Sequence, residues 1–257
     1  MKVWDGFDAV QGLRNPAVTV GSYDGVHMGH RRILSELESA ARAADGESVV
    51  VTFSPHPRQV LGGGVNVQLL SSLGEKARLL ADAGVDHLVV AHFTEAFRHL
   101  TSYDFVREYL IGRLHVHTLV VGYNHHFGYN QEGDYDYLSR LQAEFGFRVR
   151  EISRQLVDDQ KVSSTVVRRL IGEGRMEEAA RCLGRPYLLM GALGADGRVV
   201  PGEAAKLLPP EGVYEAVSDG GDDALLHISR EGTVVAEGLA LPSGPEQVPV
   251  TFWFGAD

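Results

Sequence analysis

Apolar positions in the first two-thirds of the chain follow two alternating rhythms. Short β-branched or near-continuous apolar runs occur at Ala17 to Val20, Val49 to Phe53, His87 to Ala91 and Thr118 to Val121, while Phe147 to Ile152 reads as a further strand with charged residues between its apolar ones. Such runs predict strands buried on both faces. Between them the apolar residues fall at helical spacing. From about His27 to Ala44, one helical face carries Ile33, Leu34, Leu37, Ala40, Ala41 and Ala44. Ser72 to Ala83 carries Leu73, Ala77, Leu80 and Ala83, and Ser72 with Glu75 three residues on makes a capping box. Further helices are predicted over Thr101 to Leu114, Asp134 to Phe145, Ser163 to Ile171 and Met176 to Leu183, with a polar, glycine-bearing loop from Tyr123 to Gly133.

Strand and helix in repeated alternation predict an α/β fold, a Rossmann-like, doubly wound parallel sheet. Ligands of such sheets sit at the carboxyl ends of the strands, so the segments after Val20, Phe53 and Val121 should border one crevice. The pattern changes near Gly184-Arg185-Pro186. Beyond it come Gly and Pro punctuation and short strand-like runs at Tyr187 to Ala192, Gly212 to Val217, Ala224 to Ser229 and Val248 to Phe254. The expected division is a nucleotide-binding domain over 1–184 and a small all-β module over 185–257.

With 44% hydrophobic and 23% charged residues in a chain of 257, a packed core is expected. The formal net charge of −10, with no long Lys/Arg run, argues against nucleic-acid binding. An acidic protein that handles anions must concentrate positive potential locally, at helix N-termini and a few basic side chains. The single cysteine, Cys182, excludes an internal disulfide and is expected to be a small packing residue; cytoplasmic location follows as the expectation. The first residues lack the apolar stretch of a signal peptide, and no run reaches the ~18 apolar residues of a membrane span. Homo-oligomer formation is compatible with the sequence, which does not specify it.

Four segments could carry chemistry. Gly21 to His30 (Gly-Ser-Tyr-Asp-Gly-Val-His-Met-Gly-His) follows a strand and opens a helix. Gly21 and Gly25 allow a tight turn close to a ligand. His27 and His30, at the positive end of the helix dipole, can donate to phosphate oxygens as charge builds on them. Ser163-Ser164-Thr165 offers N-caps or anion contacts, with Arg168 one turn on. Phe53-Ser54-Pro55-His56-Pro57 suits an apolar wall for a planar ring. Asn124 and Phe127, after the fourth run, suit an aromatic ligand's edge and face. His125-His126 and His115-x-His117 invite a metal reading, but neither has a third ligand at a recognised spacing, so no protein metal site is expected.

In this order the four segments resemble the FMN adenylyltransferase module of bacterial bifunctional riboflavin kinase/FMN adenylyltransferases, the FAD synthetases. Gly21 to His30 looks like the family pattern GxFDGVHxGH, with Tyr23 for Phe. Phe53 to Pro57 matches FxPHP, and Leu70 to Lys76 looks like LTSLEEK. Ser163 to Arg168 matches SSTxIR with Val167 for Ile, and Leu183 to Tyr187 looks like the junction between modules. The resemblance implies FMN + ATP → FAD + pyrophosphate, with Mg²⁺ carried by the nucleotide and no covalent nucleophile. His27 and His30 would stabilise the α-phosphate in the transition state. Gly21, Ser22, Asp24, Gly25, Gly29, Ser163, Ser164, Thr165 and Arg168 would bind ATP. Phe53, Pro55, His56, Pro57, Asn124 and Phe127 would bind FMN, although His125 stands where the family loop has Phe.

The resemblance also implies that the C-terminal module is a riboflavin kinase barrel in degenerate form. Met190 to Gly202 occupies the region of the GRxxGFPTAN-like signature but lacks its Thr and Asn, while Pro210 to Tyr214 looks like PxGVY. The acidic segment and helix expected near the end of that module are also missing. Riboflavin kinase activity is therefore expected to be absent. Two other readings stay open. One is the same transfer onto another phosphate acceptor, such as nicotinamide mononucleotide, phosphopantetheine or a sugar-alcohol phosphate. The other is a flavin- or nucleotide-binding regulator of weak catalytic power.

Overall fold

A computed structural model of the protein describes residues 1–61, 67–123, 127–129, 132–152 and 162–255. Two compact units form. The first comprises Met1–Tyr23, Gly29–Asn66 and Leu79–Lys161, and the second Asp24–Met28, Val67–Arg78 and Val162–Asp257. The second unit takes in more of the chain than the 185–257 expected of the β module.

The first unit is built on six parallel strands: β1 (Lys2–Asp5), β2 (Ala17–Val20), β3 (Ser48–Ser54), β4 (His87–His92), β5 (Thr118–Gly122) and β6 (Arg148–Ile152). Their spatial order is β1-β4-β3-β2-β5-β6. Val49, Val50 and Val51 are all fully buried, so neighbouring residues that point to opposite faces are both covered. The expected doubly wound parallel sheet is thus present. Helix α1 (Met28–Ala43) buries Leu34, Leu37, Ala40 and Ala41, as its apolar stripe predicts. Four further elements of this unit are α2 (Pro57–Leu61), a helix α3 that begins in the second unit (Leu73–Asp82), α4 (Glu95–Arg98) and α5 (Ser102–Asp104).

One expected helix takes another form. Thr101 to Leu114 is α-helical only at Ser102–Asp104 and then winds as a π-helix over Phe105–Ile111. The wider turn brings residues five apart onto one side, and Phe105 and Leu110, at that spacing, are both buried. α6 (Tyr135–Phe145) is capped by Asp134, whose side chain accepts from the Tyr137 amide, and ends at left-handed Gly146.

In the second unit, α7 (Ser164–Gly172) and α8 (Met176–Leu183) share a core with a closed antiparallel barrel. The barrel strands are β7 (Tyr187–Leu193), β8 (Arg198–Pro201), β9 (Gly212–Ser218), β10 (Asp223–Ile228), β11 (Val234–Glu237) and β12 (Val248–Phe254), in the order β10-β11-β8-β7-β12-β9. Tyr187, Leu189, Leu226, Phe252 and Phe254 are buried with Val167, Leu170 and Ile171 of α7. β1, β8 and β11 are four residues long and only partly buried, and unlike the equally short but wholly buried β2 they are too brief and mixed to show a pattern in the sequence.

A buried ion pair ties the barrel to the start of α3. The capping box is formed: the Ser72 amide donates to Glu75 Oε2 at 2.8 Å and the Glu75 amide to Ser72 Oγ at 3.2 Å. The same Glu75 carboxylate accepts from the Met190 amide at 2.8 Å and from Lys206 Nζ at 2.7 Å. Lys206 also donates to the carbonyls of Leu70 and Leu188, at 2.8 and 2.6 Å. Burial pushes the ammonium pKa down while Glu75 opposes that shift. Breaking one half of such a pair strands the other charge. Glu75→Gln should therefore lower unfolding stability by about 3–5 kcal/mol in urea titrations, and adding Lys206→Met should recover a large part of the loss.

Candidate functional site

β2, β3 and β5 are neighbours and parallel, so their carboxyl ends lie on one edge of the sheet. The chain reverses its direction of strand addition between β2 and β5, the position where such sheets receive ligands. Gly21 and Ser22 leave β2 there. The Gly21 amide donates to Val51 O at 3.0 Å, and Thr52 Oγ1 donates to Ser22 O at 3.1 Å. Tyr23 is buried with a positive φ of 47°, and its hydroxyl shares a 2.8 Å hydrogen bond with Thr19 Oγ1. Burial holds the phenol pKa well above its ordinary range. The Tyr23 ring lies 4.9 Å from that of His30, which stands in the first turn of α1.

The next five residues belong to the second unit. Asp24 is 1% exposed. Its carboxylate accepts from the amides of Leu70 and Ser71 at 3.2 and 3.0 Å, from Ser71 Oγ at 3.3 Å, and from the Arg168 guanidinium. Gly25 donates from its amide to Ser71 Oγ at 3.0 Å. It has φ of 80°, and a Cβ there would sit 2.8 Å from Leu70 Cδ1, so glycine is required for both conformation and space. Val26, fully buried, has φ of 40°. A β-branched residue in the left-handed region costs roughly 1–3 kcal/mol and persists only where its surroundings over-determine it. Arg185 reaches the turn with both terminal nitrogens, donating to Gly25 O at 2.6 Å and Val26 O at 3.0 Å.

His27 follows this turn, immediately ahead of α1 rather than on its first turn, and is 7% exposed. Burial, with smaller contributions from Arg185 and Arg168 and against the pull of Asp24, lowers its pKa to about 4. At neutral pH the ring is an uncharged imidazole, able to donate through one nitrogen only.

The start of α7 meets the same turn. Ser164 Oγ donates to Asp24 O at 3.0 Å, and Arg168 joins the Asp24 carboxylate while its Nε donates to Gln68 O at 2.9 Å. Ser163 caps α7, accepting from the Val166 amide at 3.3 Å, and Thr165 is exposed. Of the three hydroxyls, one serves the helix, one the turn, and one faces solvent.

In the first unit, Phe53 and Phe127 stand at opposite ends of one aromatic cluster. Phe53 lies 6.0 Å from Phe97, Phe97 lies 5.9 Å from Phe105, and Phe105 lies 5.9 Å from Phe127. Phe7, Phe93 and Tyr109 also belong to it. A cavity of about 260 Å³ borders the cluster, lined by Phe7, His92, Phe97, Leu100 and Tyr109 among others. Two hollows of about 500 and 490 Å³ lie on the barrel unit and include none of the catalytic or ligand-binding residues expected from sequence, although Val213 and Tyr214 of the PxGVY-like segment line the second. Pro57 opens α2, where its missing N–H costs nothing. Buried His56 accepts from the Arg58 amide through Nδ1 at 3.1 Å, so part of its role is local to that turn, while Pro55 is exposed. Asn124, with His125 and His126, lies outside the described residues. His117 meets Thr118 Oγ1 at 3.0 Å, and no cluster of metal-ligating side chains occurs among the described residues. Nor is any described helix long and apolar enough to cross a membrane.

Sequence reasoning missed Ser71, Arg185, Phe93, Phe97, Phe105 and Tyr109. The aromatics had a signal in their density between residues 93 and 109, whereas Ser71 and Arg185 had none beyond lying in segments that match the family.

The FAD synthetase family model matches residues 10–166. The chain belongs to the FAD synthetase family. It is 36% identical over 180 residues to a bifunctional riboflavin kinase/FMN adenylyltransferase of Listeria monocytogenes, covering 70% of this chain and 57% of that protein. It is 32% identical over 186 residues to the protein of the same description from Escherichia coli, covering 72% and 58% respectively. The match thus spans less than two-thirds of these relatives. A solved structure described as a macrolide-efflux protein from Streptococcus pneumoniae covers 98% of this chain, and 88% of its own chain is covered, with a TM-score of 0.79 at 21% identity, a likeness of fold. Against the FAD synthetase pattern, Tyr23 keeps the aromatic ring of the expected Phe and satisfies its added hydroxyl locally.

Since the folded-state pKa of His27 lies near 4 against 6.5 ordinarily, the unfolded chain takes up the proton first. Stability from this residue is intact above about 6.5 and falls between 6.5 and 4, by up to roughly 3 kcal/mol. His27→Gln should flatten that limb of a plot of Tm against pH. Equal slopes in both proteins would remove the assignment.

Proposed function

We propose that this chain makes FAD by transferring the adenylyl group of ATP to FMN. A phosphate oxygen of FMN attacks the α-phosphorus, and the bond to the departing pyrophosphate breaks. The observation that carries this reading is the Asp24 network, which joins the turn bearing His27 to the start of α7 through Ser164 and Arg168.

The roles follow from those surroundings. Neutral His27 gives the α-phosphate a hydrogen bond rather than a charge, and His30 supplies the second donor. Gly21, Ser22, Gly25 and Gly29 let the backbone approach ATP. The Asp24 carboxylate is fully engaged in holding the turn, so it serves ATP through the backbone it positions. Ser163, Ser164, Thr165 and Arg168 hold the triphosphate. Arg168 has guanidinium N–H groups without partners among the described residues, and these suit phosphate oxygens. Mg²⁺ would enter with the nucleotide and would supply neutralising charge to its phosphates. Phe53 and Phe127, with Pro55, His56, Pro57 and Asn124, form the flavin side, a reading supported by the aromatic cluster that includes both phenylalanines. Riboflavin kinase activity is absent in this proposal.

Purified protein given FMN, ATP and Mg²⁺ should quench FMN fluorescence as FAD forms, with one pyrophosphate released per turnover, and should make no FMN from riboflavin. His30→Ala should lower kcat by on the order of 10² with little change in FMN affinity, because a transition-state donor is removed. An unchanged kcat in that variant would contradict the role given to His30.

A further inference from the structure

Three features of the turn before α1 require an external hold. Gly25 and Val26 are consecutive left-handed residues, with φ of 80° and 40°. Val26 is β-branched and wholly buried, so it has no local reason to stay there. Their two carbonyls both point at a single side chain from a distant part of the chain, Arg185.

Arg185 is itself rigidly delivered. α8 ends at Gly184 in the left-handed conformation, whose amide closes onto Ala180 O. The Arg185 amide donates to the same carbonyl at 3.2 Å, and its side chain also donates to Leu183 O at 3.1 Å. Pro186 follows and fixes the next backbone step. The guanidinium is thus a preorganised planar fork set against two adjacent carbonyls, a geometry that a lysine cannot reproduce.

We propose that Arg185 is a positioning residue for adenylyl transfer, fixing His27 by clamping the Gly25 and Val26 carbonyls. This rests on the proposed activity. In a trans peptide the N–H lies opposite the C=O, so holding these two carbonyls also fixes the direction of the Val26 and His27 amides. Arg185 thereby orients the N–Cα bond that carries His27 away from the turn. Arg185 also contributes to keeping the His27 ring uncharged.

The test compares Arg185→Met and Arg185→Lys with the native protein, by steady-state kinetics and by the imidazole signals of His27 in proton–carbon NMR without ligands. A displacement of the turn by about 1 Å costs on the order of 10² in rate. Arg185→Met should therefore lose about that factor in kcat, with KM for FMN changed by less than about threefold, and the His27 signals should move. Arg185→Lys should fall short of native kcat. Guanidinium ion added to an Arg185→Ala protein should restore part of both kcat and the native His27 signal. If Arg185→Met lowers only Tm, leaving kcat and the His27 signals in place, the clamp is refuted. If Arg185→Met does not fold, Arg185→Lys is read in the same two ways. Absence of turnover in the native protein would overturn the proposed function instead, and the NMR comparison would still decide whether Arg185 holds the turn.

Discussion

The second unit is organised around one buried negative charge. The Asp24 carboxylate has almost no access to water, and such a group is tolerated only when donors replace its hydration. Two amides, one hydroxyl and one guanidinium do so here, and they come from two separate stretches, residues 70–71 and Arg168. The charge thereby gathers three pieces of chain that are far apart in sequence. Removing the carboxylate would leave a guanidinium and two amides without their partner in a region closed to solvent, which is why the turn can carry backbone strain at Val26 without relaxing.

Several side chains suited to phosphate are occupied by the protein itself. Arg168 is bound to Asp24, Ser164 to the Asp24 carbonyl, and Ser163 to its own helix. Under the proposed function, a nucleotide would either use the donors that remain or compete with these bonds. Competition favours the ligand when it brings more charge than the contact it replaces, as a triphosphate does relative to one carboxylate. The neutral state of His27 fits this arrangement, since two guanidinium groups nearby already supply positive potential. In the proposed reaction the imidazole would add direction, through a single oriented N–H.

The sheet was legible in sequence because each central strand is apolar on both faces, and the capping box at Ser72 because its two partners are three residues apart. His27 and His30 were legible for a similar reason: the turn that bears them follows a strand and opens a helix. The π-wound segment from Phe105 was not legible, since an apolar pair five apart is also compatible with an ordinary helix whose face drifts. Arg185 was invisible for a different reason. Its bond to Gly25 spans 160 residues, and nothing at either position announces the other. The same holds for Lys206 and Glu75, where the sequence shows two ordinary charges and the fold makes them a sealed pair.

The composition of the second unit shows what its β-barrel contributes to the turn before α1 and to the start of α3. Glu75 is met by the amide of Met190 and the ammonium of Lys206, and the Gly25–Val26 carbonyls by Arg185. All three donors lie beyond Gly184. A polypeptide cut at that glycine would keep both histidines and the whole parallel sheet, yet it would bare an acidic side chain and two acceptor oxygens around the turn. Cutting the chain at this junction would therefore remove partners of Glu75 and of the Gly25–Val26 carbonyls that belong to the second unit itself.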